Sequence, residues 1–600
     1  MAKTLDISNI LTEDCLAKAI SDKYMEWEML RETRKREWQE VLEYVFATDT
    51  TKTSNSKLLW SNKTTIPKMC QIRDNLHSNY MAALFPKQKW LVWEGAQEDD
   101  ESKNKVEAIE SYMQWVTSKN QYYNTISQLV YDYIDCGNAF VMPEWIDETN
   151  LTQDKEQVGY VGPQARRISP LDIVFDPTGL SFEKTPKIVR SIVSLGEVKE
   201  ILSRQSADEG QREQALELYQ YLREIRSTAA KYSESNTRVK DRVYNIAGFS
   251  SFHQYLCSNN VEVLTFYGDF YDEEKDELLK NYIIKIVDRH KIIAKIPNPS
   301  YFGHAPIFHA GWRLRPDNLW SMGPLDNLVG MQYRIDHLEN MKADCFDLIA
   351  YPPVKIKGQV EDFDWGPLAR IYLGDDGDVS FLTPDVMVLQ ADNQIAILEA
   401  KMEEMAGSPK EAMGFRTPGE KTKYEVQSLE NAASRVFTNK IMHFEKHVIE
   451  NLLNAMLELA RRNMTASVIR TFDDEFKIGV FRELTRYDIT GHGRLYPMAS
   501  RHFAEQATLV QNLTSFLNSN AGSDQAVIQH FSSIKLAKMW EHLLEADQYN
   551  LVEPFVRLTE QADAQRLANV HEQQVLLEQQ TPSGLNGDFD SEELNNPTDI

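Results

Sequence analysis

The chain has 600 residues, which is longer than a single hydrophobic core usually organises, and its 42% hydrophobic and 26% charged residues are typical of a folded protein. Its 65 basic and 90 acidic residues give a net charge of −25, which argues against a tight nucleic-acid binder, because such proteins neutralise phosphates with lysine and arginine. No apolar run of about eighteen residues is present, and the first residues lack the apolar core of a signal peptide, so we expect an intracellular protein without a membrane span.

The N-terminal half of the chain is predicted to alternate helices with strands. Helical periodicity predicts a first helix over residues 12–46, in which the basic run from Arg31 to Arg36 forms part of a solvated face. Three further helices and a short strand around Trp93 follow, the helices lying at 66–84, 102–118 and 121–136. Period-two patterns then predict a first group of strands at 139–145, 159–169 and 172–175, and a second group at 261–270, 279–288 and 291–296. Helices are predicted near 195–205 and 210–232, between the two groups of strands.

The centre of the chain, from Gly323 to Met464, has a different order of elements. A helix is predicted from Pro324 to residue 351, because proline is favoured at the first helical position. A small β insert follows, with a strand at 354–357 and a hairpin whose arms, 370–373 and 379–382, flank an Asp/Gly turn. The remaining elements are a second helix, a loop interrupted by glycine and proline, and a very long third helix that ends at a pair of arginines; they lie at 385–406, 407–423 and 424–462.

The C-terminal part is predicted to contain two short strands, several helices and a polar end. The strands are expected at 468–471 and 476–480. The helices are expected at 501–518, 526–534, 535–546 and 554–580. Residues 581–600 are rich in Asn, Asp, Glu, Pro and Gly, which is typical of a disordered segment.

Motifs that would carry catalysis or bind a nucleotide are incomplete. Residues 414–422 nearly match a phosphate-binding loop, but Glu420 separates the last glycine from the lysine, and a helix precedes the motif where a strand is required. His443 and His447 have the spacing of a zinc-protease motif, but the glutamate occupies the third place instead of the second, so we expect a solvated or interhelical pair. The five cysteines form no CxxC pairs and predict free buried thiols. We therefore expect no enzyme, no cofactor, no metal ligands and no catalytic residues.

The order of helix, small β insert, helix, flexible loop and long helix resembles the stem, clip, stem, tunnel loop and wing helix of portal proteins, the head-tail connectors of tailed bacteriophages. Short motifs add to this resemblance. The segments Leu319–Pro324 and Gly419–Thr422 resemble portals of short-tailed phages, and Tyr487–Gly491 resembles the segment that leads portals into their crown. The ordered set spans roughly residues 310–540.

The resemblance implies an α+β portal fold that assembles into a ring. Its first parts would be an α/β wing (residues 1–323), a stem helix (324–351), a small β-containing clip (352–384), a second stem helix (385–406) and a tunnel loop (407–423). They would be followed by a long wing helix with return strands (424–499) and a helical crown (500–553). The chain would end with a helix that could extend into a C-terminal barrel (554–580) and a disordered acidic tail (581–600).

Two groups of site residues follow from the resemblance. The tunnel loop would project mobile cations into an axial channel, where they meet passing phosphates without reading sequence; these cations are Lys410, Arg416, Lys421 and Lys423. The clip would dock the packaging motor and later the tail adaptor, using basic residues and an aromatic anchor; these residues are Lys355, Lys357, Trp365 and Arg370.

The implied function is a dodecameric channel for double-stranded DNA at the unique capsid vertex of a virion, assembled in the host cytoplasm. Implied partners are further copies of the chain, the terminase large subunit, a head-tail adaptor or tail proteins, the major capsid protein, and internal core or ejection proteins. Two alternatives remain open at this point. One is a cytosolic nucleic-acid enzyme or its scaffold subunit that uses acidic residues with magnesium, and the other is a capsid-internal structural protein without an axial hole.

Overall fold

A computed structural model of the chain describes, with short gaps, residues 13–46, 62–147, 160–194, 260–358, 371–382, 390–406 and 437–497. All of these belong to the first of two units into which the chain divides, Met1–His502 and Phe503–Ile600. The predicted helices at 195–205 and 210–232, the tunnel loop, and everything predicted beyond residue 500 lie outside the described residues.

Seven α-helices have both of their ends in the described residues. They are α1 (Glu13–Val45), α2 (Lys68–Leu84), α3 (Asp100–Lys119), α4 (Tyr122–Asp135), α5 (Val329–Ala350), α6 (Asp392–Ala406) and α7 (Asn451–Asn463). A π-helical turn, Glu445–Glu450, leads directly into α7.

The same residues form sixteen strands in six small antiparallel sheets. The strands are β1 (Leu91–Gly95), β2 (Asn138–Asp147), β3 (Val161–Ile168), β4 (Ile173–Phe175), β5 (Lys187–Ser194), β6 (Asn260–Asp272), β7 (Glu277–Val287), β8 (Lys291–Pro297), β9 (Phe308–Gly311), β10 (Arg313–Arg315), β11 (Asn318–Met322), β12 (Val354–Lys357), β13 (Asp378–Phe381), β14 (Ala466–Phe472), β15 (Gly479–Thr485) and β16 (Gly493–Pro497). The largest sheet has the order β4-β5-β6-β7-β8, and a three-stranded sheet has the order β3-β2-β9. The prediction of a mixed α+β chain is confirmed.

Helix α1 packs its N-terminal half on the five-stranded sheet. Its apolar residues Ile20, Tyr24 and Trp27 share one core with strand residues such as Leu264 and Phe266. These side chains recur at helical spacing on α1 and at every second position on β6, so each element presents one apolar face to the other. This packing agrees with the apolar stripe predicted for the first helix.

The predicted solvated face of α1 is wrong for three of its basic residues. Arg31, Arg34 and Lys35 are all buried, whereas Leu30 of the same helix is 56% exposed. The Arg31 guanidinium donates to the carbonyl oxygens of Pro170, at 2.6 Å, and of Leu171 and Ile173. The carbonyl turn of residues 170–173 supplies three acceptors, and Glu28 Oε1 lies 3.9 Å from Arg31 Nη2, so this buried cation is largely compensated. Its Nε has no hydrogen-bond partner among the described residues.

The other two buried cations of α1 are paired with carboxylates. Lys35 Nζ lies 2.8 Å from Glu28 Oε1, and Arg34 Nη2 lies 2.8 Å from Asp326 Oδ2. Arg34 also donates to the carbonyl of Ser321, at 3.0 Å. Asp326 and Ser321 lie immediately before α5, so α1 holds the entry to that helix.

The main core joins α2, α3 and α4 to α7 and to strands from both ends of the described chain. Ile126, Leu129, Val130 and Tyr133 of α4 point into this core. Strand β1 pairs with β16 in the register Trp93↔Leu495, which brings together residues about 400 positions apart. The core is therefore closed only when the last described strand is in place.

Helix α5 begins five residues later than predicted. Pro324 lies in a turn, which is closed by the Gly323 N–H donating to Asp326 Oδ2 (3.0 Å) and the Leu328 N–H donating to the Leu325 carbonyl (2.9 Å). Asp326 thus satisfies a backbone donor outside the helix instead of leading into it. Gly323 also meets Gly137 so closely that a Cβ on Gly137, whose φ is +71°, would lie 2.3 Å from the Gly323 nitrogen. Both glycines are required by this crossing of the two chain segments.

Other differences concern short elements. Strands β5, β9, β10, β11 and β16 were not predicted, and β15 begins at Gly479 instead of residue 476. Helix α6 begins at Asp392 instead of residue 385. Strand β13 pairs with β12, in the register Val354↔Phe381, and not with residues 370–373 as the predicted hairpin required. Three cysteines of the described residues are free, and Cys136 and Cys345 among them are buried, as expected.

Candidate assembly and docking surface

Helices α5 and α6, which we call the stem pair, pack against each other and are tied to the rest of the unit by buried contacts. Lys342 Nζ of α5 lies 2.7 Å from Asp392 Oδ1 of α6. Lys68 of α2 and Glu403 of α6 form a buried ion pair at 2.7 Å. At about 1.5 Å per residue, the 22 residues of α5 form a rod about 33 Å long.

The stem pair leaves several large apolar side chains exposed. Those of α5 and its C-terminal end are Tyr333, Met341, Phe346, Ile349 and Tyr351, and those of α6 are Ile397 and Met405. Single exposed apolar residues are common on any surface, but seven on two adjacent helices are a concentration of the kind that interaction surfaces carry. Helical spacing predicts one apolar stripe on this helix, formed by Leu325, Leu328, Ile335, Leu338, Cys345, Leu348 and Ile349. The first five are buried and Leu348 is half-buried, but Ile349 is 40% exposed, so the prediction is wrong at that position.

The strands β12 and β13, which we call the clip hairpin, connect the two stem helices and have two chemically different faces. Directly paired residues of an antiparallel ladder point to the same side. The pairs Val354↔Phe381 and Ile356↔Val379 therefore form an apolar face, and Lys355↔Ser380 and Lys357↔Asp378 form a polar one. The side chains of Ile356 and Phe381 are both about half exposed. An amphipathic two-stranded sheet is marginal by itself, so its apolar face favours a partner.

The predicted docking residues of the clip are described only in part. Lys355 and Lys357 are exposed on the polar face of the clip hairpin, on the same strand and two residues apart. Trp365 and Arg370 lie outside the described residues, so their prediction stays untested. Tyr372, Leu373 and Leu382 near the hairpin are exposed and add apolar surface that the sequence analysis did not assign to docking.

The predicted tunnel-loop residues Lys410, Arg416, Lys421 and Lys423 all lie outside the described residues. The structure does describe the two elements that bound this segment. Helix α6 ends at Ala406, which is buried, and the chain is helical again where it leads into the π-helical turn. The expected assignment of DNA contacts to these four residues remains a prediction.

The predicted histidine pair lies at the π-helical turn, a feature that no sequence signal indicated. A π-helical turn carries one extra residue and is rare, and such turns are frequent at functional sites. The rings of His443 and His447 have centroids 4.3 Å apart. Burial, followed by the neighbouring His447, Lys440 and Lys446, lowers the pKa of His443 to about 4. The pair is therefore neutral at pH 7 and is surrounded by cations, which disfavours a metal.

The lowered pKa of His443 gives a testable prediction about how stability depends on pH. An unfolded histidine has a pKa of about 6.5, so between about pH 4 and pH 6.5 the unfolded chain binds more protons than the folded one. The unfolding free energy therefore falls as the pH drops through this window. We expect His443→Gln to raise the unfolding free energy at pH 4.5 by about 1–2 kcal/mol and to change it little at pH 7.5. Urea unfolding followed by tryptophan fluorescence at both pH values measures this.

The substitution His337→Gln, on α5, controls for the general effect of losing an imidazole. If His443→Gln and the unmodified chain lost the same free energy between pH 7.5 and pH 4.5, protonation of His443 would not contribute to acid sensitivity. The comparison of slopes is more informative than either absolute value, since carboxylates elsewhere contribute equally to both proteins.

The described residues contain no group of three or more His, Cys, Asp or Glu side chains arranged to hold a metal ion. None of the helices in the described ranges is long and apolar enough to cross a membrane. No family model matches the chain, and no curated protein is significantly similar to it in sequence.

Proposed function

We propose that this chain is a portal protein of a tailed bacteriophage, most similar to the short-tailed type. About twelve copies would form a closed ring at the unique vertex of the capsid, because a head-to-tail interface that closes on itself produces a cyclic assembly. Double-stranded DNA would pass through the ring during packaging and ejection. The terminase large subunit and later the tail adaptor would dock on the clip, and the major capsid protein would surround the ring.

The observation that supports this proposal is the exposed apolar surface of the stem pair and the clip hairpin. These elements follow one another in the order helix, two-stranded sheet, helix, and they carry nine of the twenty-three large exposed apolar side chains of the described residues. A ring covers such a surface with the neighbouring copy. The negative net charge of the chain also agrees with a channel whose walls repel DNA and do not hold it.

Electron microscopy of the purified protein tests this proposal directly. We expect a ring of about twelve copies with an axial opening wide enough for duplex DNA, about 20 Å across. A monomer or compact dimer that persists across salt and protein concentration would contradict the proposal and favour a nucleic-acid enzyme. An assembly without an axial hole would favour an internal structural protein of the capsid.

The tunnel loop is tested by neutralising two of its cations. We expect Lys410→Ala with Arg416→Ala to leave ring assembly intact and to reduce the packaging or retention of DNA by about tenfold, since each lost cation weakens contacts to passing phosphates. The measurement is the length and amount of DNA in particles assembled with the variant. Arg36→Ala, which removes an exposed cation of α1 outside the tunnel loop and the clip, is the control for the loss of a basic residue. A normal amount and length of packaged DNA would contradict the assignment.

A further inference from the structure

A row of polar side chains on α5 holds an extended segment of the chain by its backbone. The row, which we call the polar ladder, consists of Gln332, Asp336, Asn340 and Asp344, one at every fourth position. The segment, which we call the latch segment, is described at residue 62 and at residues 64–66 and leads through Pro67 into α2. The Asn62 N–H donates to Asp344 Oδ1 (2.6 Å), the Thr64 N–H to Asn340 Oδ1 (2.7 Å) and the Ile66 N–H to Asp336 Oδ1 (3.0 Å).

The spacing between side chains of the polar ladder matches the spacing between alternate N–H groups of the latch segment. Four residues of an α-helix advance about 6.0 Å, and two residues of an extended chain advance about 6.6 Å. Alternate N–H groups of the latch segment therefore meet successive rungs of the polar ladder. The ladder also donates in return, since Asn340 Nδ2 bonds the Thr64 carbonyl at 2.9 Å and Gln332 Nε2 bonds the Ile66 carbonyl. This contact resembles the edge of a sheet, with side chains of a helix in place of a neighbouring strand.

The attachment is almost entirely polar. None of the described residues of the latch segment is buried, whereas α2 buries Met69, Ile72 and Leu76 within the following ten positions. The latch segment therefore depends on hydrogen bonds, each with a small net contribution, and α2 depends on the apolar core. Segments with few buried apolar contacts open locally at a lower free energy than the core does.

One rung of the polar ladder is weaker than the others. Asp336 is fully buried; its Oδ1 accepts two hydrogen bonds, but its Oδ2 has no hydrogen-bond partner in the described part of the chain. Burial raises the pKa of Asp336 to about 6. Among the described residues, the titratable side chain that interacts with it is Tyr44 of α1, and burial raises the pKa of Tyr44 to about 12, so it is neutral at pH 7. No cation of the described residues compensates the carboxylate.

We propose that the latch segment is a releasable tie between the N-terminal helical core and α5, which opens as a local unit while α2 and α5 stay folded. Opening frees the backbone of the latch segment and the polar ladder, and no side chain described in this segment is buried. The opening itself follows from the contacts alone. Its role, which is to let the stem helix move relative to the core while DNA passes, rests on the proposed function.

Hydrogen exchange of the full chain tests the opening. We expect the Thr64 and Ile66 amides to exchange at least about a hundredfold faster than the Ile72 and Leu76 amides of α2, and clearly slower than an unprotected amide. Asn340→Ala should accelerate Thr64 by a further tenfold or so and leave α2 unchanged. Arg334→Ala, at an exposed position of the same helix, is the matched control and should change neither. Equal exchange of Thr64 and Leu76, or no protection of Thr64, would overturn the proposal.

The pH dependence of the same exchange provides a second test. In the open state Asp336 is solvated, with a pKa near 3.9, so the closed latch binds the proton more tightly. Opening should therefore become more favourable as the pH rises from about 4 to about 6, by up to about a hundredfold after correction for intrinsic exchange. Asp336→Asn keeps the Oδ1 acceptor but cannot ionise, so this rise should disappear. A rise that persists in Asp336→Asn would overturn the role of this rung.

These measurements are independent of the electron microscopy described above, because exchange is read from the protein whether it is a ring or a monomer. A ring with a rigid latch segment would contradict the latch and leave the portal proposal standing. A monomer with a latch segment that opens would contradict the portal proposal and support the latch.

Discussion

Replacing Arg31 by alanine is expected to lower the unfolding free energy by about 3–5 kcal/mol, a large part of the stability of an ordinary domain. The side chain is fully buried, and it donates hydrogen bonds to three carbonyl oxygens of the turn before β4. Truncation leaves these carbonyls without donors in a dry site and opens a cavity beside Trp320, whose ring lies 5.6 Å from the guanidinium carbon. Burial lowers the pKa of Arg31, but a guanidinium keeps its charge.

The matched control is Arg36→Ala on the same helix. The Arg36 side chain is 76% exposed and reaches only Glu32, at 3.6 Å, so its loss should change the unfolding free energy by less than about 0.5 kcal/mol. Urea unfolding at pH 7.5, followed by tryptophan fluorescence and by circular dichroism, measures both variants. An equal, small loss for Arg31→Ala and Arg36→Ala would show that the carbonyl turn is held by other contacts. Arg31→Lys should recover only part of the loss, because an ammonium lacks the planar fork that reaches several carbonyls.

Placing two carboxylates on the stem pair is expected to abolish the ring. Phe346 and Ile349 lie three residues apart on α5, so they are neighbours on the helix surface, and both are exposed in the single chain. If a neighbouring copy covers them, Phe346→Glu with Ile349→Glu would bury two unpaired charges in every interface of the ring, at several kcal/mol per interface. The fraction of protein in rings should fall at least about tenfold, as counted by electron microscopy and analytical ultracentrifugation.

The control for this double variant is Leu314→Glu, which changes an exposed apolar residue on β10, outside the stem pair. It should assemble as the unmodified chain does. The unfolding free energy of the double variant should stay within about 1 kcal/mol, because both positions face solvent in the single chain. Rings that form normally in the double variant would place the interface on another surface of the protein.

Long elements with strong periodicity were predictable from the sequence, and elements defined by distant contacts were not. Helices α1 to α4 and strands β2, β6 and β7 lie within a few residues of their predictions, because each repeats its apolar residues over several turns or several alternate positions. The short strands β9 and β10 have only four and three residues, too few for a period to be read. Their pairing depends on neighbours elsewhere in the chain.

The inward cations of α1 show why a charge pattern was misread. A run of alternating basic and acidic residues is usually solvated, and nothing within the helix distinguishes Arg31 from Arg36. What differs is the partner, since the carbonyls of residues 170–173 lie about 140 positions away. The polar ladder was missed for the same reason: Gln332, Asp336 and Asn340 recur every fourth residue, but the backbone that they bind is not encoded near them. For the candidate site, the sequence predicted the order of the stem and clip elements. The pairing of β12 with β13 was seen only in the structure.

The pairing of β1 with β16 has a consequence for how the chain is made. During synthesis Leu91–Gly95 leaves the ribosome roughly 400 residues before Gly493–Pro497, and at about 5–20 residues per second this delay amounts to about 20–80 s. Throughout that time the nascent chain carries an apolar strand, with Trp93 at its centre, whose partner does not yet exist. An unpaired edge of this kind recruits other strands, so chaperone occupancy should be highest before residue 497 emerges. Prematurely terminated chains should aggregate, while the complete chain folds.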